Sequence, residues 1–268
     1  MEPEVGKSRR TYFNHPLVTE SLQCLPAALR HPDVASFRQY VIRHLPQNSL
    51  KGRQRIARDL VQRFSQNGRM NLALAAALGR FGDSRISREI LYFELLRALP
   101  LLQEIASLWL ATLPDEGSPR SSLMEFLEPR LAGRSVRIVA KDALTTFKHC
   151  GKLHSPRIAW FQPLWSSPPL EAFLYVLAQL YPERTMVRVD LFAGLPILRA
   201  LLWPQSSLDD LLRMAEAAGH LSKITRLDQY HQFTLAASGA ERMRLLAPQE
   251  MTRAEEAAQI ELWPATRG

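Results

Sequence analysis

One stretch, residues 134–153, restricts the possible folds of this chain more than any other. Its apolar residues recur at helical spacing up to Gly151, after which an extended segment begins. Residues 212–221 repeat the pattern, with Gly219 in the place of Gly151. A glycine in this position is typical of a residue that ends a helix in the left-handed conformation. The sequence therefore predicts two units in series, each with a helix, a glycine stop and a strand.

Hairpins are predicted to follow both helices. In the second copy, Ile224–Leu227 and Gln232–Leu235 have strand-like spacing and flank a polar turn. In the first copy, the hairpin Ser155–Trp165 is interrupted by Pro156 and Pro163. A helix followed by a hairpin is the closing half of a winged helix-turn-helix, whose next-to-last element commonly lies in a DNA major groove. Small α+β domains that bind no nucleic acid share this order, so both interpretations stay open.

The predicted fold class is mainly α: an N-terminal helical bundle followed by one or two winged helix-turn-helix-like units with small β-hairpins. A length of 268 residues with 46% hydrophobic residues suffices for several small domains. The predicted segments are a basic N-terminal arm (1–30), a helical domain (31–131), the first helix-hairpin unit (132–166), the second winged-helix-like domain (167–240) and a C-terminal tail (241–268).

The net charge of +8 favours a polyanionic partner, and most of the 34 cationic residues are arginines, which suit phosphate and guanine contacts. The densest cationic patch lies on the helix predicted for residues 49–64, where like charges stand close together. Their repulsion is a local cost that suggests an anionic partner. The candidate DNA-binding residues are Lys51, Arg53, Arg55, Arg58 and Arg63, with Arg134, Arg137, Lys141, Lys148 and Lys152 from the next unit.

The last helix of the second unit has the opposite charge. Ser206 and Ser207, followed by two aspartates, predict a capping-box start for it. Its outer face combines Asp209, Asp210 and Glu216 with the single cation Arg213. Because phosphate repels such a face, this unit is predicted to bind protein, or to touch DNA through Lys223 and Arg226 on its hairpin.

No catalytic motif is found, so the chain is predicted not to be an enzyme and to carry no metal and no cofactor. His149 and His154 flank Cys150, but no further cysteine or histidine cluster completes a tetrahedral set. The two cysteines, Cys24 and Cys150, stand far apart, which fits a reducing cytoplasm. Without a signal peptide or a sufficiently long apolar run, the chain is predicted to be soluble and cytoplasmic, with no membrane contact.

The first two-thirds of the chain resembles the BrxA family of bacteriophage-exclusion (BREX) defence islands. Ser49–Phe64 resembles the arginine-rich second helix of that family, Ile90–Leu110 its central bundle, and Lys141–Leu153 the helix and glycine stop near its end. The residues after Ser167 are an addition that smaller family members lack. The resemblance implies a helical, non-enzymatic DNA-binding accessory of an antiviral system.

The function predicted from the sequence is therefore a non-enzymatic protein that grips the phosphate backbone of double-stranded DNA through arginine-rich helices. The acidic second unit would be free to recruit another defence-system protein. One alternative is a transcription regulator that reads a defined operator. Another is a scaffold whose basic face binds an acidic partner protein.

Overall fold

The computed structural model describes residues 16–131, 136–227 and 230–246, which form helices and short antiparallel strands. The α-helices are α1 Val18–Cys24, α2 Val34–His44, α3 Leu50–Phe64, α4 Leu72–Phe81, α5 Arg85–Ala98, α6 Pro100–Glu104, α7 Arg120–Leu127, α8 Val136–His149, α9 Leu170–Leu180, α10 Val189–Ala193, α11 Pro196–Ala200, α12 Leu208–Ala217 and α13 Gly239–Leu246. The strands are β1 Ser65–Gln66, β2 Arg69–Met70, β3 Ser118–Pro119, β4 Leu153–Arg157, β5 Trp160–Pro163, β6 Met186–Arg188, β7 Leu221–Leu227 and β8 Tyr230–Leu235. The predicted class, mainly helical with small antiparallel hairpins, is confirmed.

One succession of elements occurs three times: a short strand, a helical segment, a longer helix and a hairpin. The second unit (118–163) comprises β3, α7, α8, β4 and β5, with strand order β3-β5-β4. The third unit (186–235) comprises β6, α10 and α11, α12, β7 and β8, with strand order β6-β8-β7. In both sheets the last strand of the unit therefore lies between the other two.

The first unit (32–70) has the same order, although its strands are very short. A single antiparallel bridge between Asp33 and Arg69 stands in the place of a first strand, ahead of α2 and α3. The Met70 N–H donates to the Pro32 carbonyl at 2.9 Å, which holds this bridge against β2. A third repeat thus lies within residues 31–131, where the sequence predicted only helices.

Both predicted glycine stops are confirmed. Gly151 follows α8 with φ 69°, and Gly219 follows α12 with φ 76°, both left-handed. The next N–H turns back to the helix in each case: Lys152 donates to the Phe147 carbonyl at 2.7 Å, and His220 donates to the Ala215 carbonyl at 2.9 Å. These bonds satisfy carbonyls that the end of a helix leaves open.

The predicted capping box ahead of α12 is wrong. Ser207 has helical backbone angles and its side chain caps no N–H of α12. Its hydroxyl instead donates to the Pro204 carbonyl at 2.7 Å, within the 3₁₀ turn Gln205–Ser207. The Ser207 hydroxyl therefore stabilises the 3₁₀ turn that precedes α12 and does not cap the helix.

The predicted N-terminal arm, residues 1–30, includes a folded segment. Helix α1 and the 3₁₀ turn Leu25–Leu29 occupy its second half, and Val18, Leu25 and Ala28 are buried in the core. Pro26 lies in the first turn of the 3₁₀ segment, where its missing N–H costs no hydrogen bond. The basic cluster Lys7, Arg9 and Arg10 lies outside the described residues.

Helix α5 lies at the centre of the hydrophobic core. Its residues 90–93 and 95–96 are completely buried. The Tyr92 hydroxyl donates to the Ala200 carbonyl of α11 at 2.9 Å, and the Tyr175 hydroxyl of α9 donates to Glu94 Oε1 at 2.8 Å. Buried residues on both sides of the predicted boundaries at 131/132 and 166/167 belong to one cluster. The units therefore share a core.

Gly117, just before β3, is expected to be essential for the shape of the second sheet. Its φ is +86°, and a Cβ there would lie 2.4 Å from the Phe161 carbonyl oxygen. Gly117→Ala should lower the free energy of unfolding by about 2–3 kcal/mol, because alanine is strained at a left-handed φ and its Cβ would clash with this oxygen. The control is Gly151→Ala, with φ +69° but open space around the missing Cβ, which should cost only about 1 kcal/mol. Urea unfolding measures both, and equal losses would contradict the clash argument.

Candidate nucleic-acid interface

Helix α3, the longer helix of the first unit, has one buried and one cationic face. The side chain of Ser49 accepts from the Gly52 N–H at 3.0 Å and caps the helix start. Ile56, Leu60 and Phe64 face the core. The outward stripe, at spacings of four, three and four, consists of Lys51, Arg55, Arg58 and Gln62, all exposed. Sequence periodicity correctly placed Ile56, Leu60 and Phe64 inward and Lys51, Arg55 and Arg58 outward, but it also placed Leu50 inward, and Leu50 is 53% exposed.

The cations of α3 differ in their exposure and in whether a carboxylate of the protein pairs with them. Among the described residues, no carboxylate lies within ion-pair distance of Lys51 or Arg55. Arg58 donates to Asp59 Oδ1 from both Nε and Nη2, each at 3.1 Å, while its side chain stays 62% exposed. Arg53 is only half exposed. Lys51 and Arg55 are therefore the cations on this helix that are best placed to meet an external anion.

Arg63 does not belong to the exposed patch, which corrects the sequence prediction. It is 8% exposed, and its Nη1 donates to the Pro16 carbonyl at 3.4 Å. Burial lowers the pKa of its guanidinium, and the carboxylates of Asp59, Asp142 and Glu20 oppose that shift. Because Asp142 belongs to α8, the buried Arg63 guanidinium is influenced by a carboxylate of the second unit and is not available to an external phosphate.

Helix α8 occupies in the second unit the place that α3 occupies in the first. Val139, Ala143 and Phe147 are buried, and Arg137, Lys141 and Lys148 are exposed. The exposed cations lie on one stripe, at spacings of four and seven, interrupted only by half-buried Thr145. No carboxylate of the described chain lies within ion-pair distance of these three. Arg134 lies outside the described residues.

Lys152 is the second correction to the predicted site. Its side chain is 0% exposed, and its Nζ donates to Glu89 Oε1 at 2.7 Å and Oε2 at 2.8 Å. The Trp203 indole N–H donates to Glu89 Oε2 at 3.2 Å. Burial lowers the pKa of Lys152, and the Glu89 carboxylate opposes that shift. This lysine neutralises a buried carboxylate of α5 and cannot reach an external phosphate.

The β4–β5 hairpin adds a cation that sequence reasoning missed. The guanidinium of Arg157 lies 4.1 Å from the ring centroid of Trp160, across the tip of the hairpin. Both residues belong to the same sheet as β3, directly after α8. An arginine and a tryptophan on either side of a two-residue turn were the signal in the sequence.

The third unit differs in charge, as the sequence predicted. Of the acidic residues on α12, Asp210 pairs with Arg213, Asp209 pairs with Arg226 of β7, and Glu216 Oε1 accepts from the Ile224 N–H at 2.9 Å. Arg226 is thus engaged by the chain's own carboxylate. Lys223 is exposed on β7. The face of α12 remains acidic and is unsuited to phosphate.

Two features are absent from the described part of the chain: a cluster of metal-ligating side chains and a helix that could span a membrane. Within residues 16–131, 136–227 and 230–246, no three or more His, Cys, Asp or Glu side chains are grouped so that they could hold a metal ion. None of the described helices combines the length and the apolar character that crossing a lipid bilayer requires.

Comparisons with known proteins identify relatives by fold only. No protein-family model matches the chain, and no curated protein matches it. The magnesium ion-bound SspB crystal structure is similar with a TM-score of 0.57 and 11% identity, over 94% of this chain and 92% of that one. A second SspB crystal structure is similar with a TM-score of 0.50 and 13% identity, over 67% of this chain and 66% of that one, just under two thirds. At these identities the likeness establishes a shared fold.

Proposed function

We propose that this chain is a non-enzymatic winged-helix protein that binds duplex DNA by its phosphate backbone, with α3 and α8 as the DNA-facing helices. The observation that carries the proposal is the match between them. Each is the longer helix of its unit, and each has an outward row of cations that the described carboxylates leave unpaired: Lys51 and Arg55 on one, Arg137, Lys141 and Lys148 on the other.

The winged-helix assignment rests on the order of elements. A short strand, two helices and a hairpin, with the last strand between the other two, is the arrangement in which the second helix enters a groove and the hairpin lies beside it. The resemblance to the BrxA family supports the proposal that the protein is an accessory component of a bacterial antiviral system.

Phosphate contacts predict a steep dependence of affinity on salt. Each contact contributes about −0.9 to the slope of log affinity against log salt. Five contacts, from Lys51, Arg55, Arg137, Lys141 and Lys148, give a slope of about −4 to −5. Fluorescence anisotropy with a labelled duplex, titrated from about 50 to 200 mM salt, measures it. A slope near zero, or no binding at physiological salt, would favour the scaffold with a basic face.

The same titration separates the proposal from a sequence-specific regulator. A regulator binds its operator at least about 10³-fold more tightly than random duplex. We expect random duplexes of equal length to bind within about tenfold of each other, because phosphates carry no base sequence.

The non-enzymatic part of the proposal has a direct test. Because one structural neighbour is a magnesium-bound protein, supercoiled plasmid should be incubated with the chain and Mg²⁺. We expect the plasmid to stay supercoiled. Conversion to nicked or linear forms, lost when the metal is chelated, would identify an enzyme.

A second role is favoured for the third unit. On α12 the carboxylates of Asp209, Asp210 and Glu216 outnumber the single cation Arg213, and although Asp209 and Asp210 pair with arginines, the helix keeps a net negative charge that phosphate repels. We propose that this unit binds another protein of the defence system while α3 and α8 hold DNA.

A further inference from the structure

The tip of the β4–β5 hairpin exposes an isoleucine almost completely. Ile158 is 99% exposed, the highest value among the exposed large apolar side chains described. The neighbours Pro156, Arg157 and Ala159 are also exposed. Ile158 is therefore a large apolar side chain that projects at the tip beside the cation Arg157 and the smaller apolar residues Pro156 and Ala159.

Hydrogen bonds on both sides hold the tip rigidly. The Ser155 hydroxyl donates to the carbonyls of Arg157 and Trp160, at 3.1 Å each. The Ala159 carbonyl accepts from the Arg120 N–H at 2.9 Å, and the Trp160 indole donates to the Glu116 carbonyl at 2.7 Å. Ala159 adopts a left-handed φ of 57°, which is unusual for alanine. The fold thus keeps Ile158 projecting into solvent.

The positive charge around the tip favours a polyanion as its binding partner. Arg157 lies next to Ile158, and α8, with Arg137, Lys141 and Lys148, leads into the hairpin through Gly151. Proteins that bend DNA insert an apolar side chain between base pairs from the minor groove, with arginines on the flanking backbone. A protein partner would call for a wider apolar surface, and a bilayer for several apolar side chains.

We propose that Ile158 is a wedge that enters the minor groove and partly unstacks one base step, with Arg157 on the adjacent backbone. This inference rests on the proposed function, since α8 must first hold the duplex. Pyrimidine–purine steps should accept the wedge most readily, because they unstack most easily. The protein would then bend the DNA that it binds.

The test measures bending and unstacking separately from affinity. A duplex of about 25 base pairs carries a fluorophore at each end, and a second duplex carries 2-aminopurine within TA steps. With the intact wild-type protein we expect closer ends and brighter 2-aminopurine. Ile158→Ala should abolish both signals while affinity falls less than about tenfold and the salt slope is unchanged, because isoleucine neutralises no phosphate.

Two control variants distinguish the insertion of Ile158 from DNA binding by the rest of the protein. Leu191→Ala, at another exposed apolar residue (61%) on α10, should leave both signals intact. With the wedge in place, Arg157 adds a sixth phosphate contact to the five of α3 and α8, so Arg157→Gln should make the salt slope shallower by about one unit. Binding with a steep salt slope but no bend would overturn the wedge and leave the proposed function standing. A bend that persists in Ile158→Ala would also overturn the wedge, and absence of DNA binding would overturn both.

Discussion

Glu89→Ala should lower the free energy of unfolding by about 3–5 kcal/mol, the largest single-residue effect we expect in this chain. Glu89 is 3% exposed on α5 and accepts both bonds from Lys152 and the bond from Trp203. Its removal leaves a buried ammonium group and a buried indole N–H without that acceptor. Chemical denaturation of the two proteins measures the difference.

An exposed ion pair is the control for this experiment. Glu104 pairs with Arg130 at 3.5 Å, with side-chain exposures of 52% and 34%. Glu104→Ala should cost less than about 1 kcal/mol, because solvent screens such pairs. A similar small loss in Glu89→Ala would show that the buried pair contributes little.

The same variant should acquire a pH dependence with a definite sign. Burial already lowers the pKa of Lys152, and the Glu89 carboxylate opposes the shift. Without that carboxylate the pKa of Lys152 in the folded state falls further. Between this lowered pKa and the ordinary lysine pKa, the unfolded chain therefore binds more protons than the folded chain. Stability of Glu89→Ala relative to wild type should therefore increase as pH rises through this window. Constant relative stability would contradict the electrostatic explanation.

The second large effect is expected from reversing one cation on each of the two helices proposed to face DNA, α3 and α8. Arg55→Glu combined with Lys141→Glu should weaken binding to any duplex about 100-fold or more near physiological salt, and should make the salt slope shallower by about two units. Both side chains are exposed, so the fold should tolerate the changes. Anisotropy across a salt series gives the affinity and the slope together.

A matched variant separates location from net charge. Arg184→Glu combined with Arg199→Glu changes the net charge by the same amount, and both arginines are exposed in the part of the chain after α9. This variant should bind within about threefold of wild type. Equal losses in the two variants would mean that overall charge, rather than the α3 and α8 stripes, governs binding.

The elements that the sequence predicted correctly are those with strong local signals. Gly151 and Gly219 end their helices in left-handed geometry, and β7 and β8 form the predicted hairpin. Each depends on a few neighbouring residues. Helical periodicity likewise identified the outward cations Lys51 and Arg55.

The features that were missed depend on distant residues or on very short elements. Whether Lys152 faces water is decided by Glu89, which stands 63 residues earlier. The β1–β2 hairpin has two-residue strands without measurable alternation, although Asn67-Gly68 is a strong turn signal. Arg63 of α3 appeared to belong to a cationic helix face, but it is buried, and the carboxylate of Asp142 on α8 influences its guanidinium.

The buried helix α5 has a consequence for association kinetics and thermodynamics. Because the repeats share one hydrophobic core around α5 and are not joined by free linkers, α3 and α8 have a defined relative orientation in the unbound protein. Little conformational entropy is then lost on docking. In the proposed complex the DNA deforms and the protein does not, so stiff and flexible duplexes of equal charge should differ in affinity.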